Sequence, residues 1–189
     1  MGCDKARMLF CGEPLIERVL GRLAQVAGEL VVTTSRPSEL VYLEERSFGG
    51  LTPRVAMDLD GPAGAMRGIA SSLGAARLPL VAIVACDMPF VSPGLIGALA
   101  DRVKEAPLDV CVPREKRGIE PLGAVWRRAA CAPVACELLA CDRQRIRCLI
   151  DRVHAGYLDE PQIIEVAGST LCFENVNTPE EFTAAELLA

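Results

Sequence analysis

Apolar positions along the chain follow two rhythms. Between residues 14 and 26 they fall at Leu15, Ile16, Val19, Leu20, Leu23 and Val26. That is one stripe of a helix, with Pro14 at its first turn. The β-branched run ELVVTT (29–34) then predicts a strand, and Arg36-Pro37-Ser38 opens a short helix or loop. RVAMD (54–58) predicts a second strand, and DGPAGAMRG (60–68) a glycine-rich turn into the helix AMRGIASSLGAA. LPLVAIVACD (78–87) is apolar without alternation, as in a strand buried on both faces of a parallel sheet. Ser92-Pro93 reads as an N-cap with proline at N1, opening a helix through Leu99. LDVCVP (108–113) and EPLGAVWR (120–127) predict strands, the second weakened at its start by proline. Helices follow at 132–139 and 142–153, the second with Asp142 as N-cap and a stripe of Ile146, Leu149, Ile150 and Val153. QIIEV (162–166) and LCFENV (171–176) read as short strands. Thr178-Pro179-Glu180-Glu181 is a capping box that opens a last helix. The alternation implies an α/β fold with a mainly parallel sheet. With no repeat, linker or low-complexity tract, the expectation is a single domain over 1–189.

Composition narrows this picture. Of 189 residues, 51% are hydrophobic and only 4% aromatic, so an aliphatic core is expected. The net charge of −5 argues against nucleic acid as a partner, which calls for a basic face. A nucleotide needs only a few local cations and backbone N–H groups. The run 80–86 is far too short to cross a bilayer, and no charged segment followed by an apolar one marks secretion. A cytoplasmic protein with no membrane partner is expected. Nine cysteines occur without any C-x-x-C, and the group Cys131, Cys136, Cys141 and Cys148 matches no zinc spacing. Reduced thiols in core positions are expected. His154 is the sole histidine and is read as a surface residue.

In open α/β sheets, ligands bind beyond the carboxyl ends of the strands. Those ends are Thr34 to Arg36, Asp58, Asp87, and Asn175 to Asn177. Asp87 follows LVAIVAC directly. A carboxylate at the tip of a buried strand is a natural Mg²⁺ ligand. An aspartate capping the next turn is the other reading, and position alone leaves both open. The turn at 60–68 brings backbone N–H groups to a helix start, or is an ordinary strand-to-helix connection. Asp58 and Asp60 would repel phosphate, so this loop suits a ribose hydroxyl or a base. Lys5 is a compact cation fit for phosphate, or a solvated surface charge. Asn175 and Asn177 place two amides on one side of an extended segment.

Taken in order, these pieces resemble the molybdenum cofactor guanylyltransferases. That family's first motif is a strand followed by L-A-G-G-x-S-x-R-M-G-x-D-K and G-x-P-L. Met1-Gly2-Cys3-Asp4-Lys5 matches its M-G-x-D-K part, and Gly12-Glu13-Pro14-Leu15 its G-x-P-L. Asp58 with Gly61-Pro62-Ala63-Gly64 resembles D…G-P-L-x-G, and Cys86-Asp87-Met88-Pro89 matches C-D-x-P. Glu120-Pro121-Leu122 and the following GAVW resemble P-L-x-A-L-Y. Asn175-Val176-Asn177-Thr178-Pro179-Glu180 matches N-x-N-T-P-E. Two departures stand out: Ser35 where the family tends to have asparagine, and Ala63 in place of leucine.

The resemblance implies a three-layer, Rossmann-like nucleotidyltransferase fold. It aligns Met1 with the methionine inside the family's loop, so the first strand and the L-A-G-G-x-S-x-R loop have no counterpart in these residues. The expectation is a natural start roughly 12–15 residues upstream, about one strand plus a loop. Without that strand, 80–86 or its neighbour is expected to keep an unpaired edge.

The implied reaction transfers GMP from Mg·GTP to molybdopterin, with release of pyrophosphate. Asp87 would hold Mg²⁺, and Lys5 would offset phosphate charge. Lys5, Ser35, Asp58, Gly61, Pro62 and Asp87 would contact the nucleotide, and Asn175 and Asn177 the acceptor. Arg143, Arg145 and Arg147 read as a solvated helix face, or as acceptor-phosphate ligands. Proteins of molybdenum cofactor biosynthesis are expected partners. The alternatives are a sister cytidylyltransferase using CTP, for which a D-x-D-T-P stretch near the end is wanting, and a non-catalytic nucleotide-binding remnant.

Overall fold

The computed structural model describes residues 5–141, 145–176 and 178–188, with the side chains of Lys5 and Pro179 outside that description. After a 3₁₀ turn at Lys5–Arg7, β1 (Leu9–Phe10) and β2 (Glu13–Pro14) form a small antiparallel hairpin. Its two turn residues, Cys11 and Gly12, both take positive φ, 50° and 81°. That backbone follows the twist of the flanking strands. Helix α1 (Leu15–Leu23) follows directly and buries Leu15, Ile16, Val19 and Leu20 of the predicted stripe, but it ends before Val26, which is exposed.

Two sheets then form. The smaller holds β3 (Val31–Thr34) and β4 (Arg54–Met57), paired in parallel with Val31 opposite Arg54. Between them lie α2 (Pro37–Leu40) and a 3₁₀ turn at Val41–Glu45. The larger sheet runs in the order β5 (Leu80–Ile83), β8 (Ala124–Arg127), β6 (Val110–Glu115), β7 (Gly118–Ile119), with β9 (Ala155–Asp159) also on β6. Strands β5 and β8, β8 and β6, and β6 and β7 are antiparallel, whereas β6 and β9 are parallel. The α/β class holds, with a mixed sheet.

Helices cover both faces of the larger sheet. Val110, Val112, Ala124 and Trp126 point to one side, into a core shared with α3 (Ala65–Ala75), α5 (Arg128–Ala140) and α6 (Ile146–Ile150). Cys111 and Val125 point to the other, against α4 (Pro93–Glu105) and α7 (Glu160–Ala167). The alternation is that of a pleated strand with two buried faces. Helix α8 (Pro179–Glu186) closes the chain. Phe10 stacks edge-on against Phe90 and Phe182, with ring centroids 5.8 and 5.3 Å apart, pinning the hairpin and α8 to the loop after β5.

Several expectations need correction. QIIEV is helical: Asp159 and Gln162 form a capping box, Pro161 lies in the first turn, and Gly168 ends α7 in the left-handed conformation. The end signals outweigh a short β-branched run. LCFENV is a 3₁₀ turn at Leu171–Phe173 with an extended tail, and the actual strand is AGYLD, which is β9. Helix α4 runs on from Leu99 to Glu105. The helix expected over 142–153 is confined to Ile146–Ile150, and Asp142 lies outside the described residues. Cysteines are not uniformly in the core: Cys111, Cys131 and Cys172 are buried, but Cys11, Cys86, Cys136 and Cys141 are exposed. Burial pushes the thiols of Cys131 and Cys172 up to about 12, so they are protonated and inert at neutral pH.

The largest correction concerns 78–87. The strand spans only Leu80–Ile83, pairs only with β8 among the described residues, and buries only Ile83. Its other edge faces an apolar slot of about 540 Å³, whose far wall is β3. Among the described residues that edge has no strand partner.

Candidate functional site

The polar ends of β3, β4 and β5 form two banks on either side of that slot. On the first, the Asp58 N–H donates to the Thr34 carbonyl at 2.9 Å, which sets Asp58 beside Ser35. Arg67, from the first turn of α3, stands 3.7 Å from the Asp58 carboxylate and donates to the Gly61 carbonyl at 3.4 Å. Ser71 accepts the Leu59 N–H at 2.9 Å. Helix α3 thereby holds the Asp58 to Gly61 loop from beneath. Gly61 and Gly64 have φ of 149° and 151°, where a side chain would be strained. Ser35, Gly61 and Pro62 are exposed and Asp58 is half-buried. Ser35, Asp58, Gly61 and Pro62 thus share one bank.

Asp87 and Asn175 share the other. The Val176 N–H donates to the Asp87 carbonyl at 3.0 Å, placing Asn175 next in line beside it. The segment 88–91 packs inward, with Met88 and Val91 each 2% exposed. Two arginines of α1 tie it down: Arg18 Nε donates to the Pro89 carbonyl at 3.2 Å, and Arg22 Nε to the Val91 carbonyl at 2.6 Å. Asp87 is half-buried, and no ion pair engages its carboxylate among the described residues. Beyond Asn175, Arg117 bridges Glu174 at 3.2 Å and Glu115 at 3.7 Å. Burial, and then the Glu115 charge, raise the pKa of the neighbouring Glu120 carboxyl.

Lys5 stands in the first 3₁₀ turn, but its side chain lies outside the description; Asn177 and Arg143 lie outside the described residues. Arg147 is exposed and pairs with Asp151 at 2.9 Å, as a solvated helix face does. His154 is on the surface, its side chain 83% exposed. No group of three or more His, Cys, Asp or Glu residues is placed to cage a metal among the described residues. No described helix is long and apolar enough to cross a membrane. Sequence reading missed Arg18, Arg22 and Arg67. The first two were legible as a basic pair one turn apart on the polar side of α1, and Arg67 as the one cation in the glycine-rich turn.

The MobA-like NTP transferase domain model matches residues 1–156. A probable molybdenum cofactor guanylyltransferase of Natronomonas pharaonis is 34% identical over 185 residues, 96% of this chain and 88% of that one. The molybdenum cofactor guanylyltransferase of Desulfosudis oleivorans is 30% identical over 185 residues, 98% of this chain and 87% of that one. In fold, the chain is similar to molybdopterin-guanine dinucleotide biosynthesis protein A of Archaeoglobus fulgidus: TM-score 0.83, 24% identity, 99% of this chain and 91% of that one. It is also similar to the 2-C-methyl-D-erythritol 4-phosphate cytidylyltransferase of Thermus thermophilus, with TM-score 0.70, 18% identity, and 98% and 93% coverage. Matched by that family model over residues 1–156 and 34% identical to a relative over 96% of its length, the chain belongs to the MobA-like NTP transferase domain family and is a nucleotidyltransferase.

Proposed function

We propose that the chain transfers GMP from Mg·GTP to the terminal phosphate of molybdopterin. The observation that carries this reading is the pair of banks, one suited to a nucleoside and one with a carboxylate that no ion pair engages among the described residues. The relatives named as guanylyltransferases supply the choice of donor and acceptor. An oxygen of the acceptor phosphate attacks the α-phosphorus of GTP. The new P–O bond forms as the bond to the β-phosphate oxygen breaks, and pyrophosphate leaves carrying that electron pair. Such catalysis is positioning and charge neutralisation rather than covalent chemistry by the protein.

Asp87 fits a magnesium ion. Mg²⁺ binds through one or two carboxylates plus substrate phosphates and water, so a lone accessible carboxylate suffices. The ion would neutralise charge on the phosphates. Arg18 and Arg22 fix the loop that carries Asp87. Ser35, Asp58, Gly61 and Pro62 contact the guanosine, with Arg67 holding the last turn in shape. Lys5 offsets phosphate charge, and Asn175 and Asn177 hold the acceptor. Proteins that deliver molybdopterin or take up the product are the partners this reaction requires.

The test supplies purified protein with molybdopterin, Mg²⁺ and either GTP or CTP, reading pyrophosphate and product mass. Pyrophosphate and a guanine dinucleotide with GTP are expected. Product with CTP alone would make the chain a cytidylyltransferase, and nucleotide binding without turnover would make it a binding module. Asp87→Ala should lower turnover by about 100-fold or more, with the far-UV spectrum unchanged. Undiminished turnover in that variant would remove Asp87 from the metal site.

A further inference from the structure

The carboxyl end of β6 carries more negative charge than its neighbours neutralise. Glu115 ends that strand and stands opposite Gly118 of β7. The Glu120 N–H donates to the Pro113 carbonyl at 2.9 Å, so the pairing runs on past β7. Glu115 and Glu120 are therefore diagonal neighbours on one face of the ladder, the face that also holds Cys111 and packs toward α4 and α7. Glu174 joins them through Arg117, which donates to it at 3.2 Å and stands 3.7 Å from Glu115. Three carboxylates thus share one guanidinium, an arrangement that like-charge repulsion makes unfavourable.

Two of the three carboxylates want hydrogen-bond donors. The Glu115 side chain is only 5% exposed, and its Oε2 accepts no hydrogen bond. A buried acceptor in that state is costly until a donor reaches it. Glu120 is half-buried, and no hydrogen bond or ion pair engages its carboxylate among the described residues; the Arg117 charge acts on it from farther off. Glu115 also lines an open groove of about 660 Å³ past the ends of β6 and β9, within the size range of small-molecule sites. The cluster adjoins the acceptor bank. Glu174 precedes Asn175, and the Val176 N–H, two residues on, donates to the Asp87 carbonyl. Two extended residues span about 7 Å. The loop after Glu120 meets the same two segments: a Cβ on Gly123 would lie 3.4 Å from the Phe173 ring and 3.6 Å from the Met88 side chain. A ring joined by a short linker to a phosphate near Asp87 would reach these carboxylates.

The three carboxylates are not placed to cage a metal ion. What they suit is a set of adjacent N–H donors. A 2-amino-4-oxopyrimidine edge sets an amino group beside a ring N–H, two parallel donors that match the two oxygens of a carboxylate. The pterin of molybdopterin carries that edge, and so does the guanine of GTP. Guanosine has its own bank at Ser35, Asp58, Gly61 and Pro62, whereas this cluster lies on the acceptor's side. We propose that Glu120 and Glu115 select the acceptor by taking the amino and ring N–H donors of its pterin, an inference that rests on molybdopterin being the acceptor. Glu120, the more exposed of the two, pairs with the ring N–H and one amino proton. Glu115 Oε2 takes the other amino proton. Arg117, held on Glu174, offsets part of the charge that would otherwise repel the acceptor's phosphate.

The test titrates the purified protein with 6-hydroxymethylpterin phosphate and with its lumazine counterpart, which has a carbonyl in place of the 2-amino group. Binding is read from the fluorescence of the ring, and GTP binding by calorimetry. The pterin should bind about 10–100-fold tighter than the lumazine, the range for hydrogen bonds to a charged acceptor. Glu120→Gln should bring that ratio close to one, Glu115→Gln should reduce it, and both should leave GTP affinity unchanged. Glu120→Gln also removes one of three like charges, so its urea midpoint should hold or rise. A lower midpoint would make Glu120 a structural residue and overturn the proposal. So would equal binding of the two ligands, no binding of the pterin, or a preference that survives Glu120→Gln. A loss of GTP affinity in that variant would assign the edge to guanine instead. Guanylyl transfer without pterin preference removes this site and leaves the proposed reaction standing, and pterin preference without transfer does the reverse.

Discussion

Strands β6 and β5 lie one strand apart in the same sheet, and their residues are of the same kind: VCV in one, LVAI in the other. Their surroundings differ. Val110, Cys111 and Val112 are fully buried, with β8 on one edge and β9 on the other. Leu80, Val81 and Ala82 are half-exposed, with β8 on one edge and the slot on the other. An apolar run thus reports what a strand is built to have covered, while its burial depends on the elements that reach it. Strand β5 keeps its place through β8, through Glu29 at its start and through the α1 arginines just past its end. The candidate metal ligand, Asp87, lies in the loop just past this less-supported strand.

That contrast can be broken experimentally. Trp126, on β8 beside β6, is fully buried against the α3/α5 layer, so Trp126→Ala should cost about 3–5 kcal/mol, measured by urea unfolding. A loss below about 1 kcal/mol would mean that this half is not the stable core. Arg22→Leu removes the hydrogen bond to the Val91 carbonyl and loosens the Asp87 loop. Transfer should fall about 10–100-fold and half-saturation by Mg²⁺ should move to higher concentration, with partial rescue by Arg22→Lys. An unaltered Mg²⁺ requirement would show that the arginine does not position Asp87.

The smaller effects sharpen the comparison. Val81→Ala, on the slot wall, should cost about 1 kcal/mol, and a loss as large as that of Trp126→Ala would contradict the open edge. Glu29 offers a pH test. Burial opposes its ionisation, but the Arg77 N–H and the Arg54 guanidinium outweigh it and hold the carboxyl below the usual range. A carboxyl with a lowered folded pKa stabilises the protein above its unfolded pKa, and that contribution is lost as pH falls through the folded value. Glu29→Gln should therefore lower stability by about 1 kcal/mol near neutral pH. The gap should close in acid, and a gap constant with pH would assign Glu29 a packing role alone.

Local chemistry alone determined much of this protein. Helical stripes, caps and proline positions marked α1, α3, α4 and α8, because those signals act within a few residues. Strand-end position marked Ser35, Asp58, Asp87 and Asn175, the glycine-rich turn marked Gly61 and Pro62, and the fold groups them on two banks. The local end signals of α7, its capping box with Pro161 and Gly168, were present in the sequence around QIIEV, whereas only the tertiary structure decided that AGYLD is a strand, since β9 is fixed by its parallel register on β6. It alone revealed Arg18, Arg22 and Arg67 as the ties behind the site, because their carbonyl and carboxylate partners lie across the fold or the turn rather than beside them in sequence. The apolar run at 78–87 shows where the two kinds of information part. Its composition asks for two covered faces and two paired edges, but hydrogen bonding between strands is a long-range property, and among the described residues only one edge has its partner.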